Sequence, residues 1–485
     1  MCQTKKYDRL NVFGYFNVTL HHLRITTDMA NINDMTVGSP TRGILNFAIP
    51  LVCGYILQQM YLLIDAAIVG HFVGVNALAA VGASSSVMFL ILGFCNGSCA
   101  GFAIPVAQSF GAKDFPKMRS FVGNALRIAA VIAVIITVVT AILCTRILKI
   151  VNTPQDIFHD AYVFLMFNFL AIPFTICYNI LSCFIRALGD SRSPFYILII
   201  SSVLNILLDV VLIIIIGLGV EGAGIATMTS QAFASLLCWL YIKKRMQILL
   251  PKGEERAYDD KKIGKLLVCG IPMGLQFSIT AVGIIMLQSS NNALGTMYVA
   301  SFTAAMRVKY LFTCVFENIG VAMATYCGQN IGARKLDRVK LGVFAATKIM
   351  LVYVAISALL IFPFADEMML VFVNSGEHDI IANASLYMHI STFFFPILGI
   401  LPILRYSIQG LGYSNLSMLS GVMEMIARCG VSLWIVPAFH FLGVCYGDPV
   451  AWVAADVFLF PAFYFLYKHL KHKYAVAPVA GNGTC

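Results

Sequence analysis

Charge is scarce in this chain: Asp, Glu, Lys and Arg make up 12% of its 485 residues, against 59% that are hydrophobic. A soluble domain carries about 25% charged residues, so the composition excludes a water-soluble globule and points to lipid as the solvent. Other absences narrow the class. The fourteen cysteines are scattered, mostly inside apolar stretches, and none pairs with another at CxxC spacing; they read as small packing residues, and no zinc site is expected. HExxH and a serine in a GxSxG context are also missing, which leaves a polytopic membrane enzyme without a catalytic constellation. Residues 1–38 hold no apolar core long enough for a signal peptide. The stretch "MTVGSPTRGILNFAIP" from Met35 reads as a natural start, and the polar residues before it are assigned no function.

Apolar sequence is present in abundance. Stretches able to cross a hydrocarbon core of ~30 Å as one helix run from Ile44 to Val69, Ser84 to Val106, Phe121 to Leu143, Ala161 to Phe184, Phe195 to Gly217, Ala223 to Ile242, Lys265 to Leu287, Val299 to Tyr326, Gly342 to Phe364, Ile380 to Leu404, Leu416 to Phe439 and Val450 to Tyr467, twelve in all. Lys and Arg concentrate in cytoplasmic loops of membrane proteins. The turns after odd-numbered spans carry only Arg146 and Lys149, whereas the other side carries 21 basic residues, Arg405 among them. Both termini are therefore expected in the cytoplasm, and the net charge of +10 reads as topology rather than as nucleic-acid binding.

The polar segment Lys243 to Lys265 divides the chain into halves, and the halves repeat. Gln108 and Gly111 return as Gln329 and Gly332 at an offset of 221; "FIRALGDS" from Phe184 returns as "SIQGLGYS" from Ser407 at 223; Ile49 and Pro50 return as Ile271 and Pro272 at 222. A six-span unit duplicated in one orientation is the architecture of transporters whose two bundles rock around a cavity. The expected fold is thus an all-α integral membrane protein with twelve transmembrane helices in two pseudo-symmetric six-helix lobes. Its expected divisions are a polar extension (1–39), an N-lobe (40–245), a linker (246–262), a C-lobe (263–474) and a tail (475–485). The glycines at 93, 97 and 101 form a small-residue ridge for close helix packing.

Acids inside the spans stand out against this background. An ionised Asp at mid-bilayer costs ~2.5 to 3.5 kcal/mol even by insertion scales, so such a residue is expected to face a wet cavity and carry function. Asp209 in span five has Asn205 one turn earlier on the same face. Thr227 in span six lies as far from the turn at Leu218 as Asp209 does, which puts both roughly 13 Å below the outer side. Span one adds Asp65 near its outer end, Gln58 as a possible cavity residue, and Pro50, which removes a backbone hydrogen bond and permits a bend. Asp65, Asn205, Asp209 and Thr227 together make a hard-oxygen cluster suited to Na⁺ or to a shared proton. The bland alternatives are interhelical hydrogen bonding for Asn205 and Thr227, and headgroup solvation for Asp65. In the second half, Glu424 and Arg428 are spaced to neutralise one another, and Arg307, Lys309 and Glu317 fall within reach of one helix face. These are expected to form a structural ion-pair network. Glu317 and Asp456 are the two with a possible role at the cavity or the substrate.

The doubled "Q-x-x-GA" turn at Gln108 and Gln329, preceded by Gly in the second copy, "RALGDSRSP" after span four, "IP" followed by Asp65 in span one, and "N-x-x-x-D...GAGIAT" together resemble the multidrug and toxic compound extrusion (MATE) family over about residues 39–471. That resemblance implies the MOP superfamily fold and a multidrug efflux antiporter of the bacterial cytoplasmic (inner) membrane. It also implies export of cationic or lipophilic drug-like molecules against H⁺ or Na⁺, with no other cofactor, and a monomer. Its DinF-like branch places cation coupling at the positions of Asp65, Asn205, Asp209 and Thr227, with Pro50 at the bending proline and Ser182 where an Asn often stands. The acid that other branches keep in helix seven is absent, with Ser278 near that place, so a C-lobe cation site of that type is not expected. The alternative within the superfamily is a lipid-linked-oligosaccharide flippase, which would show more basic residues lining the cavity. A purely structural module leaves the buried acids unexplained.

Overall fold

The structure, a computed structural model, describes residues 33–151 and 153–476, so expectations placed on residues 1–32 and 477–485 lie outside the described residues. The apolar stretches fold into α1 (Pro40–Val73), α2 (Val75–Gly111), α3 (Phe115–Ile150), α4 (Phe158–Ala187), α5 (Arg192–Ile215) and α6 (Gly219–Arg245). After the linker come α7 (Asp260–Asn292), α8 (Thr296–Gly332), α9 (Leu336–Met369), α10 (His378–Phe393 and Phe395–Gly410), α11 (Ser414–Phe439) and α12 (Phe441–Val476). Helices are the expected solution because a lone segment in lipid must satisfy its own backbone groups. Eleven are long and apolar enough to cross a membrane, and the bent pair of α10 makes the twelfth. The pair meets at 55° just before Pro396, whose ring and missing N–H interrupt the preceding turn.

The sequence repeat is also a repeat of conformation. Lys113 and Arg334, 221 residues apart, end α2 and α8 with φ of 58° and 57°; Gly189 and Gly412 end α4 and α10 with φ of 90° and 94°. Left-handed residues of this kind stop a helix by tying its last carbonyls to the following amides. Here Asp114 N–H donates to Ser109 O at 3.0 Å and Lys335 N–H to Asn330 O at 2.9 Å. Asp114 then opens α3 by accepting from Lys117 N–H at 3.1 Å, an N-cap worth about 1 kcal/mol.

Two hydrophobic cores result, one within α2–α6 and one within α8–α12. The first helix of each half crosses between them. The start of α1 buries Ile44, Phe47 and Ala48 in the C-lobe core, whereas from Gly54 onward α1 lies on Phe195 and Leu198 of α5. In mirror fashion Leu266 of α7 is buried in the N-lobe core, and Gly283 lies on Met425 and Arg428 of α11. Lobe boundaries at 40 and 263 therefore cut through the packing, and Pro50 and Pro272 sit where each helix changes lobes. The glycine ridge of α2 is part of the lobe interface: a Cβ at Gly97 would lie 2.6 Å from Met273 O, and one at Gly101 2.5 Å from Gly270 Cα. Further from the lysine- and arginine-rich end, Gly82 meets nothing within 4 Å.

Candidate functional site

Asp65 and Asp209 occupy matching positions, each close to the end of regular winding. Below Asp65 the helix is regular to Ile68 and then takes a π-helical turn over Val69–Val73; Asp209 is the last regular residue of α5 before a π-helical turn over Val210–Ile215. Such turns are rare and frequent at functional sites, and they are also part of the repeat, since α11 takes the same turn at Val431–Ile435, 221 residues after Val210. Asp209 is fully buried, Asn205 is 3% exposed and Asp65 9%. The two carboxyl groups are near neighbours. An apolar cluster of Val69, Ala77, Phe164, Ile213, Val220 and Ala223 packs around the α1–α2 and α5–α6 turns beyond them.

Four oxygens here have no donor among the described residues. Asp65 Oδ1, Asn205 Oδ1 and both Asp209 carboxyl oxygens are buried without a hydrogen-bond partner among the described residues, as are Ser202 Oγ on α5 and Gln231 Oε1 on α6. Buried polar atoms are normally satisfied, so four unpaired acceptor atoms in one place call for an explanation. An acceptor-only group of carboxylate and amide oxygens is chemically fit for a proton shared between acids or for a hard cation.

The remaining expected residues lie at varying distance from this pair. Thr227 is half-buried on α6, its carbonyl accepts from Ser230 Oγ at 2.9 Å, and no hydrogen bond joins its hydroxyl to either acid among the described residues. Ser182 is buried, but its Oγ accepts from Arg186 Nη1 at 3.0 Å, so its partner is a guanidinium rather than an acid. Gln58 is exposed and neighbours Tyr61, which in turn lies beside Asp65 and Asp209. Sequence reasoning missed Tyr61; its place one turn before Asp65 was the available signal.

The C-lobe treats its charges differently. Glu424 bridges two arginines, accepting from Arg428 Nη1 at 3.0 Å and from Arg405 Nη2. Asp448 accepts from Arg428 Nε at 2.9 Å, from Tyr387 Oη at 2.9 Å and from Lys309 Nζ. The chain Lys309–Asp448–Arg428–Glu424–Arg405 thus ties α8, α10, α11 and α12 together, and all five residues are buried. Two expectations change here. Arg405 does not belong to the basic loops but is buried within α10, and the proposed common face of α8 is divided. Lys309 joins the chain, Arg307 stacks 5.9 Å over the Phe372 ring, and Glu317 is exposed while accepting from Tyr406 Oη at 3.1 Å. Asp456 is 5% exposed with Oδ1 unpartnered and lies near Arg405.

At the basic end the halves clasp each other reciprocally. Gln108 Nε2 donates to Gly410 O at 3.0 Å and Gln329 Nε2 donates to Ala187 O at 2.9 Å, each amide reaching the carbonyl that its repeat partner's lobe supplies. Gly111 and Gly332 make this possible: a Cβ on either would stand 1.9 Å from the carbonyl oxygen of the opposite glutamine. The stretch 33–38 lies across this clasp. Met35 N–H donates to Gln329 Oε1 at 2.9 Å, Asn330 Nδ2 to Met35 O at 3.2 Å, Lys335 Nζ to Thr36 O at 2.9 Å, and Arg338 Nη2 to Gly38 O at 3.0 Å.

Comparison with known proteins gives a consistent answer. The MatE family profile matches residues 50–211 and 271–434. The chain is 26% identical over 435 residues to the probable multidrug resistance protein YoeA of Bacillus subtilis (strain 168), covering 87% of this chain and 93% of that protein. It is 27% identical over 408 residues to the probable multidrug resistance protein YpnP of the same organism, covering 83% and 88%. An outward-facing multidrug resistance MATE family transporter of the MOP superfamily shares the fold with a TM-score of 0.85 at 20% identity, over 91% of this chain and 99% of that one.

Proposed function

Because the chain belongs to the MATE family, whose members are membrane transporters and not enzymes, we propose that it is a secondary antiporter exporting cationic or lipophilic drug-like molecules in exchange for H⁺ or Na⁺. In this reading it works as a monomer in a bacterial cytoplasmic membrane, with its basic end and both termini in the cytoplasm. The observation that carries the reading is the set of buried, donor-free oxygens on Asp65, Asn205 and Asp209.

Two carboxylates held together in a low-dielectric setting repel one another and pay a desolvation cost, so a proton or Na⁺ arriving from the outer side relieves both. Relief of that repulsion draws α1 toward α5, and the π-helical turns after each acid give both helices a place to rewind. Pro50, at the point where α1 passes from one core to the other, is where such a movement would be taken up. Cargo and ion then bind in alternation, each weakening the other by the same factor. Glu317 is an exposed carboxylate midway along α8, with Tyr406 bonded to it and Tyr55 of α1 nearby; it is the group suited to a cationic guest, with aromatic faces at hand.

The decisive measurement is efflux of a cationic dye in inverted vesicles with ΔpH or ΔNa⁺ imposed alone. Asp65→Asn and Asp209→Asn are expected to abolish gradient-driven efflux while the protein remains folded. Retention of coupling in both variants overturns the assignment.

A further inference from the structure

The linker between the lobes is folded rather than slack, and it borders a half-open pocket. Its turns at Gln247–Leu249 and Gly253–Arg256 lie on α3, held by a two-pronged contact of Arg119 with Glu255 at 2.5 and 2.6 Å and by Lys262 Nζ donating to Ser120 Oγ at 2.8 Å. Arg127 Nη2 also donates to Arg256 O. Between the linker, α3 and α6 a pocket of about 380 Å³ remains, walled by Gly123, Arg127, Trp239, Lys243, Pro251 and Arg256. Arg127, Lys243 and Arg256 form no ion pair among the described residues. Two of the linker's carboxylates are engaged elsewhere, Glu255 by Arg119 and Asp259 by Lys262 at 3.0 Å.

We infer that this pocket is a binding site for the headgroup of an anionic phospholipid of the cytoplasmic leaflet. Three cations with no carboxylate partner among the described residues stand around one concavity, where they repel each other and attract a phosphate oxyanion. Arg127 spends Nη1 on Asn124 Oδ1 at 3.3 Å and Nη2 on Arg256 O, and Arg256 spends Nε on Pro251 O at 3.1 Å, which leaves the Arg256 terminal nitrogens and the Lys243 ammonium to meet the phosphate. Trp239, 42% exposed, stands at the rim as interfacial tryptophans do, its ring in the headgroup layer. The volume accommodates a phosphoglycerol group but not two acyl chains. Those chains have apolar strips to follow immediately below, Val131, Val134 and Val138 on α3 and Leu236 and Leu240 on α6, all exposed. The lipid would join the linker to the N-lobe at the very segment that ties the lobes together. The inference takes from the proposed function only the orientation of the basic end.

The test is native mass spectrometry of the delipidated full-length protein titrated with phosphatidylglycerol or phosphatidylcholine at low ionic strength. With each basic residue near an anionic surface contributing a factor of about five in affinity, Lys243→Gln/Arg256→Gln should lose phosphatidylglycerol about 25-fold. Phosphatidylcholine binding should stay weak throughout, and Arg146→Gln/Lys149→Gln at the opposite end should behave as the parent. Because Arg256 also touches the linker backbone, the single variant Lys243→Glu, whose side chain makes no described contact, is expected to lose about as much. Equal retention in these variants, or equal affinity for both lipids, overturns the site. Inorganic phosphate or glycerophosphoglycerol competing as well as the whole lipid would replace it with a site for free anions, and overturns the lipid assignment. Labelling of Lys252→Cys against the parent by an impermeant maleimide, in intact cells and in inverted vesicles, reads orientation separately. Failure of the orientation and failure of the pocket are thereby told apart.

Discussion

The two lobes began as one sequence, and they now handle buried charge in opposite ways. In the N-lobe, Asp65 and Asp209 are buried with no ion pair among the described residues, and Asp65 Oδ1 and both Asp209 carboxyl oxygens accept no hydrogen bond from them. In the C-lobe, Glu424 and Asp448 are each held by two cations in a chain across four helices. A buried ion pair contributes little net stability, yet removing one partner is expensive because the other stays charged and dry. The comparison teaches that the two copies of a duplicated bundle need not share a charge pattern: Glu424 and Asp448 are neutralised internally, whereas Asp65, Asp209 and, within the C-lobe, Asp456 keep buried oxygens with no partner among the described residues.

The largest expected effect separates the lobes by stability. Asp448→Asn strands Lys309 and Arg428 and is expected to destabilise the protein by about 3–5 kcal/mol. Asp209→Asn, which removes an unpaired acid, should leave stability level or raise it. Thermal unfolding of both variants in one detergent checks this, and equal losses would erase the distinction between neutralised and unpartnered acids.

A middling effect is expected at the clasp. Gln108→Ala removes the bond to Gly410 O and the acceptor of Lys265 Nζ, and Gln329→Ala the bond to Ala187 O and the acceptor of Met35 N–H. With about 1 kcal/mol for the amide-to-carbonyl bond alone, each should raise the population open at the basic end by at least about five-fold. Spin-label distances between Lys113→Cys and Arg334→Cys would report it, and unchanged distributions in the double variant would show that the clasp does not set the balance.

The smallest effect concerns pH and the linker. The Arg119 guanidinium beside Glu255 holds its carboxyl below the usual range. A depressed folded-state value means the contact contributes fully above the unfolded value, about 4.3, and is lost as pH falls through the lower folded one. Proteolysis of the linker should therefore quicken only below about pH 4, and Arg119→Gln should remove that step. A step at neutral pH would point to another group.

How much of this could be read in the sequence depends on contrast with lipid. Asp65, Asn205 and Asp209 stood out because each interrupts an apolar run, and the helix period alone put Asn205 and Asp209 on one face. Asp448 was invisible for the opposite reason: it lies in "CYGDPV", before the stretch expected to begin at Val450, while α12 in fact starts at Phe441. Arg405 was drawn into the basic loops because the break before Pro396 lets α10 continue to Gly410, deeper than its hydropathy indicates. Ser182 was placed by analogy of position, which carries no information about the neighbouring guanidinium. Gly111 and Gly332 were legible as a repeat, but the 1.9 Å approach that demands them is a property of two distant segments meeting. Irregular peptide such as 33–38 has no period to read at all.

That peptide has a practical consequence. Since the hydrogen bonds of the strap go to Gln329, Asn330, Lys335 and Arg338 of the C-lobe, the strap stays with that lobe when the lobes part there, and it is the approach of Asn33 O to Gly189 of the N-lobe that must open. A fluorescent protein or affinity handle fused directly upstream of Asn33 would thus act as a thumb on the balance, and reporters for turnover assays belong at the other terminus.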